Sequence, residues 1–95
     1  AGGPGSSFED TTEYAAGYTD AAFRKVKKGM TEEEVCASLG PPLARWKIRD
    51  AKNANKRENI GLRWSGSFEH GSYRVRLVIF TDGRVTKRIS EFYID

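Results

Sequence analysis

Few side chains in this sequence have the types and spacing that chemistry requires. Cys36 is the only cysteine and His70 the only histidine. A thiol becomes a nucleophile when a base or a positive neighbour makes it a thiolate. Cys36 instead lies beside Val35 on the apolar stripe of a short helix, the place of a small core residue. His70 precedes Gly71 in a turn, and a metal site there would need Asp or Glu partners at ligand spacing, which the sequence does not arrange. Glu32, Glu33 and Glu34 could pair for acid–base work. At the start of a helix, however, three carboxylates complement the positive end of the dipole. No serine elbow, phosphate loop or glycine fingerprint occurs. The reading is of a chain that catalyses nothing and carries no cofactor or metal.

Binding has better material. Arg63, Arg74 and Arg76, with Arg88 on the following strand, could line the solvent face of a sheet, flanked by Trp46 and Tyr93. Arginine and aromatic residues together are enriched at interfaces. The competing reading is that basic side chains on an exposed strand keep the sheet soluble and its edge unpaired. Trp46, Arg63, Arg74, Arg76, Arg88 and Tyr93 are the candidate partner-binding residues, with the loop at 45–63 beside them.

The elements that must position these residues are written plainly in places. Thr31 caps a helix, Glu34 three residues on completes a capping box, and Met30 and Val35 stand at staple positions. Gly40 ends the helix, and Pro41-Pro42 forbid its continuation. Ahead of it, Thr19–Lys28 reads as a first helix, with Ala22, Phe23 and Val26 on one face and Gly29 as its stop. The pair superficially resembles a DNA-binding helix-turn-helix, but three glutamates would meet phosphate with the wrong sign. Trp46 and Ile48 alternate as a short strand, and residues 50–59 read as a surface loop.

The last third reads as β-structure. Leu62, Trp64 and Phe68 alternate with polar residues. Tyr73, Val75, Leu77 and Ile79 then share one face of a strand, and Arg74, Arg76, Val78 and Phe80 the other. Thr81-Asp82-Gly83-Arg84 is a hairpin turn. The chain returns over 85–94 with Val85, Lys87 and Ile89 on one face. The fold expected is α+β: two short helices packed on one face of a three-stranded antiparallel meander, α-α-β-β-β.

Ninety-five residues, 38% hydrophobic and 12% aromatic, make one modest core and one domain. That domain is read over residues 19–95, behind a flexible tail at 1–18. No apolar run approaches the ~20 residues of a membrane span. The chain opens Ala-Gly-Gly-Pro-Gly-Ser-Ser without an initiator Met. This reads as a processed protein or a trimmed piece of one, from which any export or lipid-anchor segment would be missing. The net charge of +3 is unevenly spread: residues 1–40 hold four basic against seven acidic side chains, and 41–95 hold twelve against six. The basic half would attract anionic lipid, acidic proteins or nucleic acid.

Lys-Lys-Gly-Met-Thr-Glu-Glu-Glu-Val-Cys-Ala-Ser-Leu-Gly-Pro-Pro, then Trp64, then Leu-Val-Ile-Phe-Thr-Asp-Gly-Arg-Val at 77–85, resembles the SmpA/OmlA (BamE-like) family. These are small bacterial outer-membrane lipoproteins that share the β-lactamase-inhibitor-protein-like fold. The resemblance implies a periplasmic or outer-membrane setting and a protein that binds without catalysing. It also implies that Gly29, Met30, Thr31, Val35, Leu39, Gly40 and Pro41 serve the fold. The family's lipidated cysteine and its Tyr-Arg-Pro-type run are missing. Tyr14-Ala15-Ala16-Gly17-Tyr18 stands there, so the family's lipid and partner contacts do not carry over.

The function expected is a non-catalytic scaffold module of the bacterial envelope that engages a protein partner or anionic lipid. An inhibitor-type domain blocking an envelope enzyme is the alternative, and single-stranded nucleic-acid binding the weakest reading.

Overall fold

The computed structural model describes residues 10–49, 57–69 and 71–94. It corrects the expected architecture. The described residues are mostly β, with six strands in two antiparallel sheets and two short helices among them: β1 Thr12–Tyr14, α1 Asp20–Arg24, α2 Glu32–Leu39, β2 Ala44–Ile48, β3 Asn59–Arg63, β4 Ser65–Ser67, β5 Tyr73–Thr81 and β6 Arg84–Tyr93. The larger sheet runs β2-β3-β5-β6 and the smaller pairs β1 with β4, so a three-stranded meander flanked by helices is not what forms.

Two strands account for the difference. Ala44–Ile48 does not stand alone but pairs along its whole length with β3, with Trp46 opposite Gly61. The second is β1, in a stretch that shows no hydrophobic period. Its register sets Thr12, Glu13 and Tyr14 opposite Ser67, Gly66 and Ser65. Hydroxyl groups hold it there: Thr11 donates to the Ser72 carbonyl at 2.8 Å, and Thr12 accepts from the Arg74 N–H at 2.8 Å. Strand β3 also breaks at Trp64, beyond which β4 turns away toward β1. The Ser65 hydroxyl bridges the gap, accepting from the Arg76 N–H and donating to the Arg74 carbonyl.

Helix α2 forms as its sequence demands. The Thr31 hydroxyl accepts from the Glu34 N–H at 3.2 Å, and the Glu34 carboxylate accepts from the Thr31 N–H at 2.9 Å. Gly40 ends the helix at φ +79°. Helix α1 is shorter than the 19–28 expected, because its last carbonyls turn to Arg88 instead of continuing the ladder. Asp82 and Gly83 both take positive φ, 51° and 85°, as a tight primed hairpin turn requires.

A single core cluster joins Phe23, Val26, Val35 and Leu39 to Ile60, Leu62, Trp64, Val78, Phe80 and Val85, with Ala15 at its margin. The sheet face carrying Ile60, Leu62, Val78, Phe80 and Val85 is its inner face. One bulge corrects the alternation expected for β6. Ile79 pairs with Lys87 but Phe80 with Val85, leaving Thr86 as the extra residue. Val85 is therefore buried inward, while Lys87 and Ile89 fall on the outer face.

Candidate functional site

Register divides the six predicted binding residues between the two faces. Leu62 pairs with Val78 and Val78 with Arg88, which sets Arg74, Arg76 and Arg88 on the inner side. The neighbouring pairs, Trp46 with Gly61, Arg63 with Leu77 and Tyr73 with Tyr93, belong to the outer face. The continuous basic patch expected from sequence does not exist.

The three inner arginines tie down the N-terminal part of the chain. Arg74 meets Asp10 at 3.0 Å. Arg76, its side chain only 12% exposed, donates to Asp20 Oδ1 at 3.1 Å and to the Val75 carbonyl at 2.9 Å. The Tyr18 hydroxyl donates to the same Asp20 oxygen at 2.6 Å. That bond lowers the Asp20 pKa against the opposing effect of burial, and the Arg76 guanidinium lowers it further. Burial, and then the Asp20 carboxylate, raise Tyr18 far above an ordinary phenol. Arg88 lies 5.6 Å from the centroid of the Phe23 ring and donates to the carbonyls of Phe23, Arg24 and Val26, at 3.1, 2.6 and 3.3 Å. A cation among the last carbonyls of a helix complements their partial negative charge.

The outer face is different. Val75, Leu77, Ile79 and Ile89 are half-buried there, Trp46 is 38% exposed and Tyr93 50%. The Trp46 indole lies flat enough on Gly61 that a Cβ at that position would sit 2.5 Å from the ring. Sequence reasoning placed Val75, Leu77 and Ile79 together but took the arginine side of β5 as the exposed one. Both sides of β5 hold large apolar residues, so alternation alone cannot choose between them. The deciding signal lies in the acidic residues of the N-terminal segment, Asp10 and Asp20, which the inner arginines require.

At one end of the outer face a cleft of about 600 Å³ opens between the β1–β4 ribbon and the ends of β5 and β6. Glu13, Leu43, Arg63, Gly66, Ser67, Gly71, Tyr73 and Tyr93 line it. The Tyr73 and Tyr93 rings stand 5.6 Å apart at 50° to each other. Arg63 Nε is buried without a hydrogen-bond partner among the described residues. A buried donor left unmade costs about 1–3 kcal/mol, and more on a charged group.

Cys36, Glu32 and Glu34 are engaged locally. Burial, then the Glu32 carboxylate, raise the Cys36 thiol pKa, which keeps it protonated. Glu34 is occupied by the capping box and Glu32 by Arg45 at 3.0 Å. No group of three or more His, Cys, Asp or Glu side chains is placed to hold a metal ion among the described residues. His70 lies outside those residues, as do residues 50–56 of the loop expected over 50–59, whose last residue, Asn59, instead begins β3. No described helix is long and apolar enough to cross a membrane. In comparisons with known proteins, no family model matches the chain, and no curated protein or solved structure is significantly similar to it.

Proposed function

We propose that this chain is a non-catalytic binding module of the bacterial cell envelope that docks a protein partner on the outer face of its four-stranded sheet. The observation that carries the reading is that face itself. Leu77, Ile79, Ile89 and Val75 form an apolar stripe left half-open, with Trp46 and Tyr93 at its margins. Trp, Tyr and Arg are the residues that dominate interface energies. Arg63 on β3 and Lys87 on β6 flank the stripe from opposite sides, so the complementary surface is an apolar patch with acidic neighbours. Anionic lipid is the weaker partner, because Arg74, Arg76 and Arg88 already have partners within the chain. The envelope setting is supported by the resemblance of residues 26–42, 64 and 77–85 to the SmpA/OmlA family.

The test compares capture from a bacterial envelope extract by the wild type and by a Leu77→Asp, Ile89→Asp double variant. A Trp46→Ser variant serves as a gentler second probe. Loss of two central contacts should weaken capture by about thirtyfold or more while a cooperative melting transition persists. Capture that survives both changes, or no capture by the wild type, overturns the reading.

A further inference from the structure

We propose that the cleft at Arg63 is a binding site for a small carboxylate with a flat apolar body, such as an aromatic acid. The site adjoins the apolar stripe, sharing Arg63 and Tyr93 with its margin, but a small ligand there does not depend on a protein docking on the stripe.

Arg45, Arg57, Arg74, Arg76, Arg84 and Arg88 each meet a carboxylate or a carbonyl oxygen within the chain. Arg63 makes no side-chain hydrogen bond or ion pair among the described residues, although its Nε is closed off from solvent. Its guanidinium lies across the β4 backbone, 3.9 Å from where a Cβ on Gly66 would stand. Gly66 adds no side chain there, and both residues line the cleft. A planar fork of N–H donors matches a carboxylate in a bidentate pair.

The walls restrict what else the ligand carries. Tyr73 and Tyr93 supply two tilted rings and Leu43, 44% exposed, adds an apolar surface. Aromatic ligands pack well on such rings in offset or edge-to-face geometry. Glu13 is the register partner of Gly66 and lines the same cleft, so a carboxylate stands beside Arg63 without pairing to it. Its charge repels a dianionic phosphate more than a singly charged carboxylate. A volume of about 600 Å³ falls within the ~300–1,000 Å³ of small-molecule sites.

Sodium benzoate is the probe, titrated into the full chain and followed by NMR at the Arg63 Nε–H and at the Tyr73 and Tyr93 ring protons. All three should shift together and saturate at one common Kd. Arg63→Gln should weaken that Kd by about tenfold or more, and Arg63→Lys, which keeps the charge but loses the fork, should also weaken it. Tyr93→Ala, at an exposed strand end, provides an independent loss that does not touch the guanidinium. Inorganic phosphate should leave the three signals in place with wild type, and Glu13→Gln should let it begin to bind. The proposal is overturned if benzoate gives no saturable shift up to about 50 mM. It is equally overturned if phosphate binds the wild type as well as benzoate does, or if the benzoate Kd is unchanged in both the Arg63→Gln and Tyr93→Ala variants.

Discussion

On the inner face of the four-stranded sheet, Arg45, Arg74, Arg76 and Arg88 all have partners within the chain; on the outer face Arg63 has none among the described residues. Burial demands acceptors only at Arg76, whose side chain is 12% exposed, because taking a guanidinium out of water is unfavourable unless acceptors replace its hydration. Arg74, Arg76 and Arg88 find their acceptors in Asp10, Asp20 and the end of α1 and so tether the N-terminal segment, while Arg45 pairs with Glu32 of α2. Among the described residues no such segment lies over the outer face. The same residue type is thus structural on one side of a strand and a candidate for recognition on the other.

The largest effects should separate the faces by packing. Phe80 is fully buried on the inner face, and Phe80→Ala should cost about 3–5 kcal/mol through lost transfer energy and a residual cavity. Leu77, three residues earlier on the other face, is half-buried, and Leu77→Ala should cost under ~1.5 kcal/mol. Urea unfolding followed by circular dichroism measures both. Equal costs would mean that the outer face is covered.

Arginine substitutions should repeat the contrast at smaller scale. Arg88→Met removes three carbonyl contacts and the position over Phe23, and should cost about 2 kcal/mol. Arg76→Met leaves Asp20 half-buried with one partner fewer and should cost a similar ~2 kcal/mol. Arg63→Met removes a guanidinium that has no partner among the described residues and should leave stability unchanged or raise it by about 1 kcal/mol. A destabilisation by Arg63→Met as large as that by Arg88→Met would show that Arg63 is already satisfied inside the chain.

These comparisons also mark what could be read from the sequence. Helix α2 was legible in full, because its cap, box and glycine stop are local and mutually consistent. The hairpin at Asp82-Gly83 was legible for the same reason. Strand β1 was not: three residues cannot show a period, and its partners lie more than fifty positions away. The pairing of β2 with β3 is likewise non-local, and a single bulge reversed the facing of Val85. Of the candidate site, Trp46, Arg63 and Tyr93 lie together on the outer face. Arg74, Arg76 and Arg88 lie on the inner face, since their acceptors, Asp10, Asp20 and the last carbonyls of α1, are brought to them by contacts distant in sequence.

Acid should weaken the inner tethers selectively. Asp20 is held below its ordinary value of 3.8 by the Tyr18 hydrogen bond and by Arg76. A carboxylate with a depressed folded-state pKa contributes stability that is fully present above the unfolded value. That stability is lost as pH falls through the folded one. The urea midpoint of the wild type should therefore fall between about pH 4 and pH 2, and Asp20→Asn should flatten part of that fall. An Asp20→Asn profile parallel to the wild type would remove Asp20 from the set of tethers.

The smallest effect is the most discriminating for the outer face, because its sign should change with the neighbour. Trp46 lies over Gly61, where a Cβ would approach Cζ2 at 2.5 Å and Cε2 at 2.7 Å. Gly61→Ala should displace the indole and cost about 1 kcal/mol, with a red shift in tryptophan emission as Trp46 moves into water. Once Trp46→Ala has removed the ring, the same Gly61→Ala change has nothing to strike. It then restricts the unfolded chain and gives the strand a side chain to pack, so it should stabilise by ~0.5 kcal/mol. The double-mutant cycle isolates the contact between the two residues from their separate effects. Additive costs would mean that Trp46 already spends its time off the sheet, and the apolar face would then lack one of its margins.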